Sequence, residues 1–382
     1  MLPTEITVGL VAALPRESAA QRMTISDLEP VRIPGDPNKY WCGSMPSAVA
    51  DRPHRVVSAL LAQDGTRNAA AICTDLMRSF PNVRCLLMCG IAGGFPAPHD
   101  PERHIGLGDV VTSAGGVVDY DHVRTVNGRD RIRRSTEGLS KTLLRADREL
   151  ETRALAGDES WTGALREWEA RASGEFRRPN ARPGVPRVHR AAIGSADRLL
   201  RDATKRDRLA RQHGIRAVEM EGSGIAVGAD LHGAHWYMVR GIADHCDGNK
   251  DDTWHGYASL AAAAYTSALL AEVVPFGTQG ASPSPNGGSV GGLGAVVEAL
   301  LSLAVMEDDH QRRAVVAELP RPIRTSVPAH QVARLHVIAI VRTCERFDNG
   351  REALIDALRV TVGDIPELDL VISVIRSHWS GP

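Results

Sequence analysis

Short apolar runs alternate with amphipathic stretches through the first 275 or so residues, the pattern of strands alternating with helices in an α/β fold with a substantial sheet. Ile6–Ala13 is unbroken and reads as a buried strand. Arg84–Cys89 is a second, running into the turn Gly90-Ile91-Ala92-Gly93-Gly94, and Asp109–Ser113 is a third. Leu199–His213 has helical periodicity, with Gly214 at the position where helices commonly end. A strand over Arg216–Met220, a helix over Ser223–Leu231 and a strand over Trp236–Ile242 follow. Ala258–Phe276 is alanine-rich and apolar, yet holds Ser259, Thr266, Ser267 and Glu272, which suits a buried helix better than a membrane span.

Two segments break this rhythm. Residues 128–187 form an arginine-rich insertion with helical pieces at Ser140–Leu155 and Ser160–Ala172. Residues 277–294 are almost entirely Gly, Ser, Pro and small polar residues, a composition that buries too little surface to order itself. The expected organisation is therefore a domain over 1–276, a flexible linker over 277–292, and a second domain over 293–382. Apolar positions at helical spacing (Val296, Val297, Leu300, Leu301, then Val332, Leu335, Ile338, Val341) make that second domain all-helical. It carries no cluster of acid, base and nucleophile and reads as an interaction module.

Composition narrows the function. The 382 residues are 43% hydrophobic and 24% charged, ordinary for a globular chain, and a net charge of −1 leaves no electrostatic footprint for nucleic acid polymers or anionic membranes. Six cysteines lack metal-site spacing and the N-terminus lacks a signal-peptide pattern, so reduced thiols, a cytoplasmic location and no metal or cofactor are expected.

Candidate chemistry lies at strand ends, where ligands gather in α/β sheets. Three carboxylates fall there: Glu17, Glu221 and Asp244. Glu221 belongs to AVEMEGSG (217–224), in which Glu219 and Glu221 would share one face if the strand ran on. Like charges so close need separate partners. A strand end entering solvent accounts for the pair as well, and Arg240 reads as a structural ion-pair partner. Glu17, just after Pro15-Arg16, equally suits a helix N-terminal carboxylate, and Asp244 alone suits a turn or cap.

Six motifs, VGLVAALPRES (8–18), CGIAGG (89–94), LGDVV (107–111), GSADRLLRD (194–202), AVEMEGSGIA (217–226) and VRGIADHCDGNKDDTWHGYA (239–258), occur in the order and spacing of the nucleoside phosphorylase superfamily. The chain most resembles its methylthioadenosine/S-adenosylhomocysteine nucleosidase-like branch, and within it the domains attached to NLR-type defence proteins. The resemblance, over about residues 5–275, implies a three-layer phosphorylase/hydrolase fold around a mixed sheet. It also implies roles: Glu221 accepting hydrogen bonds from ribose hydroxyls with Met220 against the sugar, Asp244 protonating N7 of a purine, and Glu17 orienting and deprotonating water. Ala92 and Gly93 would allow close backbone approach, and Ser195, Ala196 and Asp197 would read the base edge. A homodimer is implied in the same way.

The superfamily divides by nucleophile, water or phosphate. Phosphorylases resembling this chain carry an arginine and a serine where Met88 and Ile91 stand here, so phosphate would lack its charge-assisted partners. Hydrolysis of a purine nucleoside or nucleotide is the expected reaction, with phosphorolysis and a catalytically silent nucleoside sensor as alternatives. Arg16 is expected to point away from the site. Ile91 also departs from the serine of methylthioadenosine nucleosidases, and Arg124 and Arg198 are candidates for gripping a 5′-phosphate chain. The tail from Leu293 resembles the effector-associated domain of bacterial conflict systems, which implies a partner protein bearing a like module.

Overall fold

The structure, a computed structural model, describes residues 1–126, 129–135, 138–179, 184–248, 251–277, 291–328, 333–363 and 365–379. The chain divides into two compact units, Met1–Ala281 and Ser282–Pro382. Most of the linker expected over 277–292 lies outside the described residues.

In the first unit the strands are β1 (Val8–Ala12), β2 (Ser26–Arg32), β3 (Lys39–Met45), β4 (His54–Leu60), β5 (Cys85–Gly94), β6 (Val110–Thr112), β7 (Val117–Val126), β8 (Arg129–Ser135), β9 (Val188–Arg190), β10 (Ala192–Ser195), β11 (Ile215–Glu219) and β12 (His235–Asp244). The helices are α1 (Pro15–Met23), α2 (Thr66–Ser79), α3 (Lys141–Leu155), α4 (Ser160–Arg171), α5 (Ala203–His213), α6 (Gly222–Leu231) and α7 (His255–Ala271). The strands make one mixed sheet in the order β2-β3-β4-β1-β5-β11-β10-β7-β8, with β12 also on β5 and leading through β6 to β9.

Side-chain alternation along the strands builds three layers. Leu86 and Met88 of β5 face the core shared with Ile72 and Leu76 of α2 and Ile225 and Ala229 of α6. Cys85, Leu87 and Cys89 face the opposite core, shared with Ala20 of α1, Leu143 of α3, Trp161 of α4 and most of α7. The alanine-rich segment is this buried helix. Its small side chains allow it to lie on the sheet so closely that a Cβ on Gly241 would sit 1.9 Å from the Ala258 carbonyl oxygen. Its C-terminal end is fastened down: Ala48 N–H donates to the Val273 carbonyl at 2.9 Å, and buried His54 donates through Nε2 to the Leu270 and Val273 carbonyls, both at 3.1 Å.

One feature of the sheet positions the site. β12 runs along one edge of β5 from Cys85 to Gly93. On the other edge β1 pairs in parallel with Cys85–Met88, and β11 pairs antiparallel with Gly93 and Gly94. Between Met88 and Gly93 that edge has no strand partner among the described residues. The sheet has a gap there, and the ends of β1 and β11 both point into it.

Several boundaries differ from the sequence expectations for local reasons. β5 continues through the expected glycine turn to Gly94 because β12 supplies a ladder, so Ala92 and Gly93 are strand residues. α5 starts at Ala203 rather than Leu199, because Asp202 caps it by accepting from Thr204 N–H (2.8 Å) and Lys205 N–H (3.1 Å). β11 stops at Glu219, so Glu221 is the residue preceding α6 and not the next outward position of a strand. Asp244 ends β12 itself, after a bulge between Ile242 and Asp244.

The second unit holds, among its described residues, α8 (Gly291–Leu301), α9 (Ala304–Glu307), α10 (Asp309–Glu318), α11 (Arg321–Arg324), α12 (Ala333–Cys344), α13 (Gly350–Val362) and α14 (Pro366–His378) around a core that includes Leu300, Val315, Ile340, Leu358 and Ile375. A fully buried arginine sits inside it. Arg312 donates to the Met306 carbonyl (2.8 Å), the Glu307 carbonyl (3.0 Å), Asp309 (3.0 Å) and His336 Nδ1 (3.0 Å), joining α9, α10 and α12. Arg312→Ala leaves buried acceptors unsatisfied and should destabilise this unit by about 3 kcal/mol. Amide hydrogen exchange in α10 and α12 of the full chain would show that loss as lowered protection, while α7 keeps its own.

Candidate active site

A cavity of about 270 Å³ opens at the gap in the sheet. Its walls come from the β1–α1 turn (Ala13, Leu14, Glu17), β5 (Ile91–Gly93), the end of β11 (Val218–Glu221), the end of β12 (Asp244, Cys246), residues 198–201, and Asp64, Asp252 and His255. Glu17, Glu221 and Asp244, distant in sequence, share this one cavity.

Glu17 occupies the first turn of α1 and serves that helix as well as the cavity. Its Oε2 accepts from Ala13 N–H (2.7 Å) and Leu14 N–H (2.9 Å), and its Oε1 from Ile91 N–H (2.7 Å). It is 2% exposed, and burial raises its pKa against the opposing pull of Arg240 and these three donors. The helix-terminus reading and the ligand-facing reading describe the same carboxylate. Gly90 makes room for it: a Cβ there would lie 2.2 Å from Glu17 Oε1 and 2.7 Å from an Arg240 nitrogen.

Arg240, fully buried on β12, organises three acids. It forms a close ion pair with Glu219 and reaches Glu221 at 3.5 Å and Glu17 at 3.8 Å. Glu219 is further held by the Glu221 N–H (3.0 Å) and the Gly222 N–H (2.8 Å). Its role is to bind the turn together. Glu221 has fewer partners, the Gly65 N–H at 3.0 Å and the distant guanidinium. Burial, then the neighbouring Glu219, push its pKa up to about 8. With one guanidinium shared among three acids, Glu221 is left with the fewest partners and its burial is offset least.

Asp244 arrives by the β12 bulge, a device that re-aims side chains beside sites. Its Oδ1 accepts from Cys246 N–H at 2.8 Å, and Cys246 takes a left-handed φ of 55°. Such a conformation costs a non-glycine residue about 1–3 kcal/mol. Gly93 is required opposite: a Cβ would come within 2.9 Å of Asp244 Oδ1 and 2.2 Å of Cys246 Sγ.

Met220, Ala92 and Gly93 line the cavity. Ser195, Ala196 and Asp197 lie behind its wall. Ser195 accepts from Ser223 N–H (3.0 Å) at the start of α6, Ala196 N–H donates to the Glu219 carbonyl (3.2 Å), and Asp197 accepts from Thr66 N–H (2.6 Å). They position the next four residues, Arg198–Arg201, which form the wall itself. Arg198 is ion-paired with Asp121, and the side chain of Arg124 lies outside the described residues. Arg16 is held by Glu175 and reaches Asp252 at 3.4 Å. Met88 is buried in the core. The sequence reading missed Gly65, whose N–H reaches Glu221, and the rim residues Asp64, Asp252 and His255. Only the turn-forming pair Asp64-Gly65 carried a local signal.

Fold and site together define a class: a three-layer α/β unit whose ligand cavity opens at a break in a mixed sheet and is floored by carboxylates. The chain belongs to the phosphorylase superfamily, whose family model matches residues 7–274, and residues 297–375 match effector-associated domain 2. It is 30% identical over 271 residues to the ATP nucleosidase Cap17 of Escherichia coli, covering 69% of this chain and 51% of that protein. It is 29% identical over 311 residues to a nucleotide-binding leucine-rich repeat (NLR)-like protein of Hyaloscypha variabilis, covering 72% of this chain and 30% of that one. The chain thus spans about half of Cap17 and under a third of the fungal protein. A 5′-methylthioadenosine/S-adenosylhomocysteine nucleosidase of Treponema pallidum is 29% identical over 204 residues, 53% of this chain and 71% of that one. Among solved structures, the 5′-methylthioadenosine/S-adenosylhomocysteine nucleosidase of S. pneumoniae superposes with a TM-score of 0.50 at 19% identity, covering 70% of this chain and 99% of that one, a likeness of fold. Among the described residues no helix is long and apolar enough to cross a membrane.

The raised pKa of Glu221 predicts a pH-dependent stability. Between an ordinary glutamate pKa of 4.5 and about 8 the folded chain keeps a proton that the unfolded chain has released. Folding is therefore progressively opposed as pH rises through that window. Glu221→Gln has no such charge to bury. Its stability relative to the parent should rise between pH 5 and pH 8 by up to about 3 kcal/mol, measured by denaturant unfolding at both pH values.

Proposed function

We propose that the first unit is a purine nucleosidase that hydrolyses the N-glycosidic bond of a purine nucleoside or nucleotide. The observation that carries this reading is the convergence of Glu17, Glu221 and Asp244 on one cavity at the gap in the sheet. Glycosidic cleavage passes through an electron-poor sugar and needs a stabilised leaving base, a held ribose and a nucleophile. Glu221 accepts hydrogen bonds from the ribose 2′- and 3′-hydroxyls, with Met220 against the sugar. Asp244 gives its proton to N7 of the purine as the C1′–N9 bond breaks and its electron pair passes to the base. Glu17 orients a water whose oxygen bonds to C1′ and takes the proton that water loses. The products are free purine and the sugar with a hydroxyl at C1′.

Water is preferred to phosphate because the nucleophile's side of the cavity carries the Glu17 carboxylate, while the nearby Arg16 is occupied by Glu175 and Asp252. The similarity to Cap17, named an ATP nucleosidase, supports including nucleotides among the substrates. We read residues 293–382 as an effector-associated module that recruits the enzyme to a partner bearing a like module in a conflict or defence system. A tether of this kind raises the effective concentration of whatever the module binds.

Incubating the full chain with adenosine, methylthioadenosine, AMP and ATP should release free purine from at least one of them without added phosphate. Asp244→Asn should lower that rate about 100-fold or more. No base release from any of the four overturns hydrolysis. Ribose 1-phosphate formed only when phosphate is added moves the assignment to phosphorolysis.

A further inference from the structure

Gln21 takes no part in the chemistry just described, yet it is 1% exposed and every polar atom of its side chain is bonded across strands. Its Nε2 donates to the Val11 carbonyl of β1 at 3.0 Å and to the Cys89 carbonyl of β5 at 2.9 Å. Its Oε1 accepts from Ser58 Oγ of β4 at 2.8 Å. Gln21 lies four residues after Glu17 on α1, so the two side chains leave the same face of the helix.

Their targets on β5 are also neighbours. Gln21 takes the Cys89 carbonyl and Glu17 takes the Ile91 N–H. Residues two apart on a strand direct their backbone groups to the same edge. These are groups of the edge that β1 leaves after Met88 and β11 reaches only at Gly93. Two side chains of one helix thus stand in for two rungs of the missing ladder. One of them is a permanent amide bridge, and the other is the carboxylate that lines the cavity.

We propose that Gln21 is a positioning residue for the nucleosidase reaction: by bridging β1, β4 and β5 across the gap, it fixes the first turns of α1 so that the Glu17 carboxylate stays on the Ile91 N–H and faces the attacking water. This rests on the hydrolytic reading above. The bridge also holds the two strand ends at a fixed separation, so the gap neither closes nor widens when substrate enters. Gln21 acts through Glu17 and touches no reacting atom.

Gln21→Met preserves length and bulk and deletes all three hydrogen bonds. For folded enzyme, on whichever substrate the parent cleaves, kcat should fall about tenfold or more while KM stays within about twofold, since the lost interaction serves the transition state rather than binding. The Ile91 N–H lowers the Glu17 pKa, so loosening that bond raises it, and the acid limb of the kcat profile should move to higher pH. In a Glu17→Gln background the same Gln21→Met change should cost no further kcat. A merely structural glutamine would lower the melting temperature but leave the pH limb and the kcat of folded enzyme at parental values, and that result overturns the proposal. Should Gln21→Met not fold, Ser58→Ala decides, because it frees one end of the amide. A smaller shift of the same limb supports the proposal, and an unmoved limb overturns it. A parent chain that releases no purine contradicts the hydrolytic reading itself, whereas an active parent with a parental Gln21→Met variant contradicts only the role of Gln21.

Discussion

A single buried guanidinium holds the site together. Arg240 lies on β12 with three glutamates around it, Glu17 from α1, Glu219 from β11 and Glu221 from the turn before α6. Removing charge from water is costly, and a buried carboxylate keeps its ionised form only beside a cation or several donors. Here one cation serves three acids unequally. Glu219 takes the close ion pair and becomes structural, while Glu17 and Glu221 are left with raised pKa values and open faces toward the cavity. That inequality leaves two carboxyl groups without a full ion-pair partner at the point where the cavity begins.

The gap in the sheet explains why these residues meet. A continuous ladder along β5 would bury the Cys89–Ala92 edge under backbone. Because β1 departs and β11 arrives from the opposite direction, that edge stays available, and side chains from α1 fill it. Glycines at 90 and 93 then let carboxylates and a guanidinium lie directly against the strand. The strain at Cys246 belongs to the same arrangement, since its left-handed backbone presents the N–H that Asp244 accepts.

Much of this was legible in the sequence, for identifiable reasons. Buried strands such as β1 announce themselves by unbroken apolar runs, and α7 by its alanines among a few polar residues. The three acids stood out because each follows an apolar run at a strand end. What could not be read locally depended on partners far along the chain. β5 was expected to end at Cys89, because a run of glycines looks like a turn until β12 is known to pair beside it. Residues 199–201 looked helical by periodicity, but Asp202 holds the cap and leaves them to form the cavity wall. Gln21 gave no signal at all, since a glutamine on a helix is ordinarily a solvated residue and only the three strands it spans make it otherwise.

The fastening at the end of α7 bears on how firmly the cavity rim is held. α7 runs from His255, which lines the cavity, to Ala271, about 25 Å by helical rise. Such a rod would carry a tug at its far end straight to the rim. His54 and Ala48 grip the Leu270 and Val273 carbonyls before the chain leaves the sheet, so a pull on the following segment meets an anchorage first. The helix that reaches the cavity with its first residue is thereby tied at its other end to β4, the neighbour of β1, so one rod braces the cavity rim against the far side of the sheet.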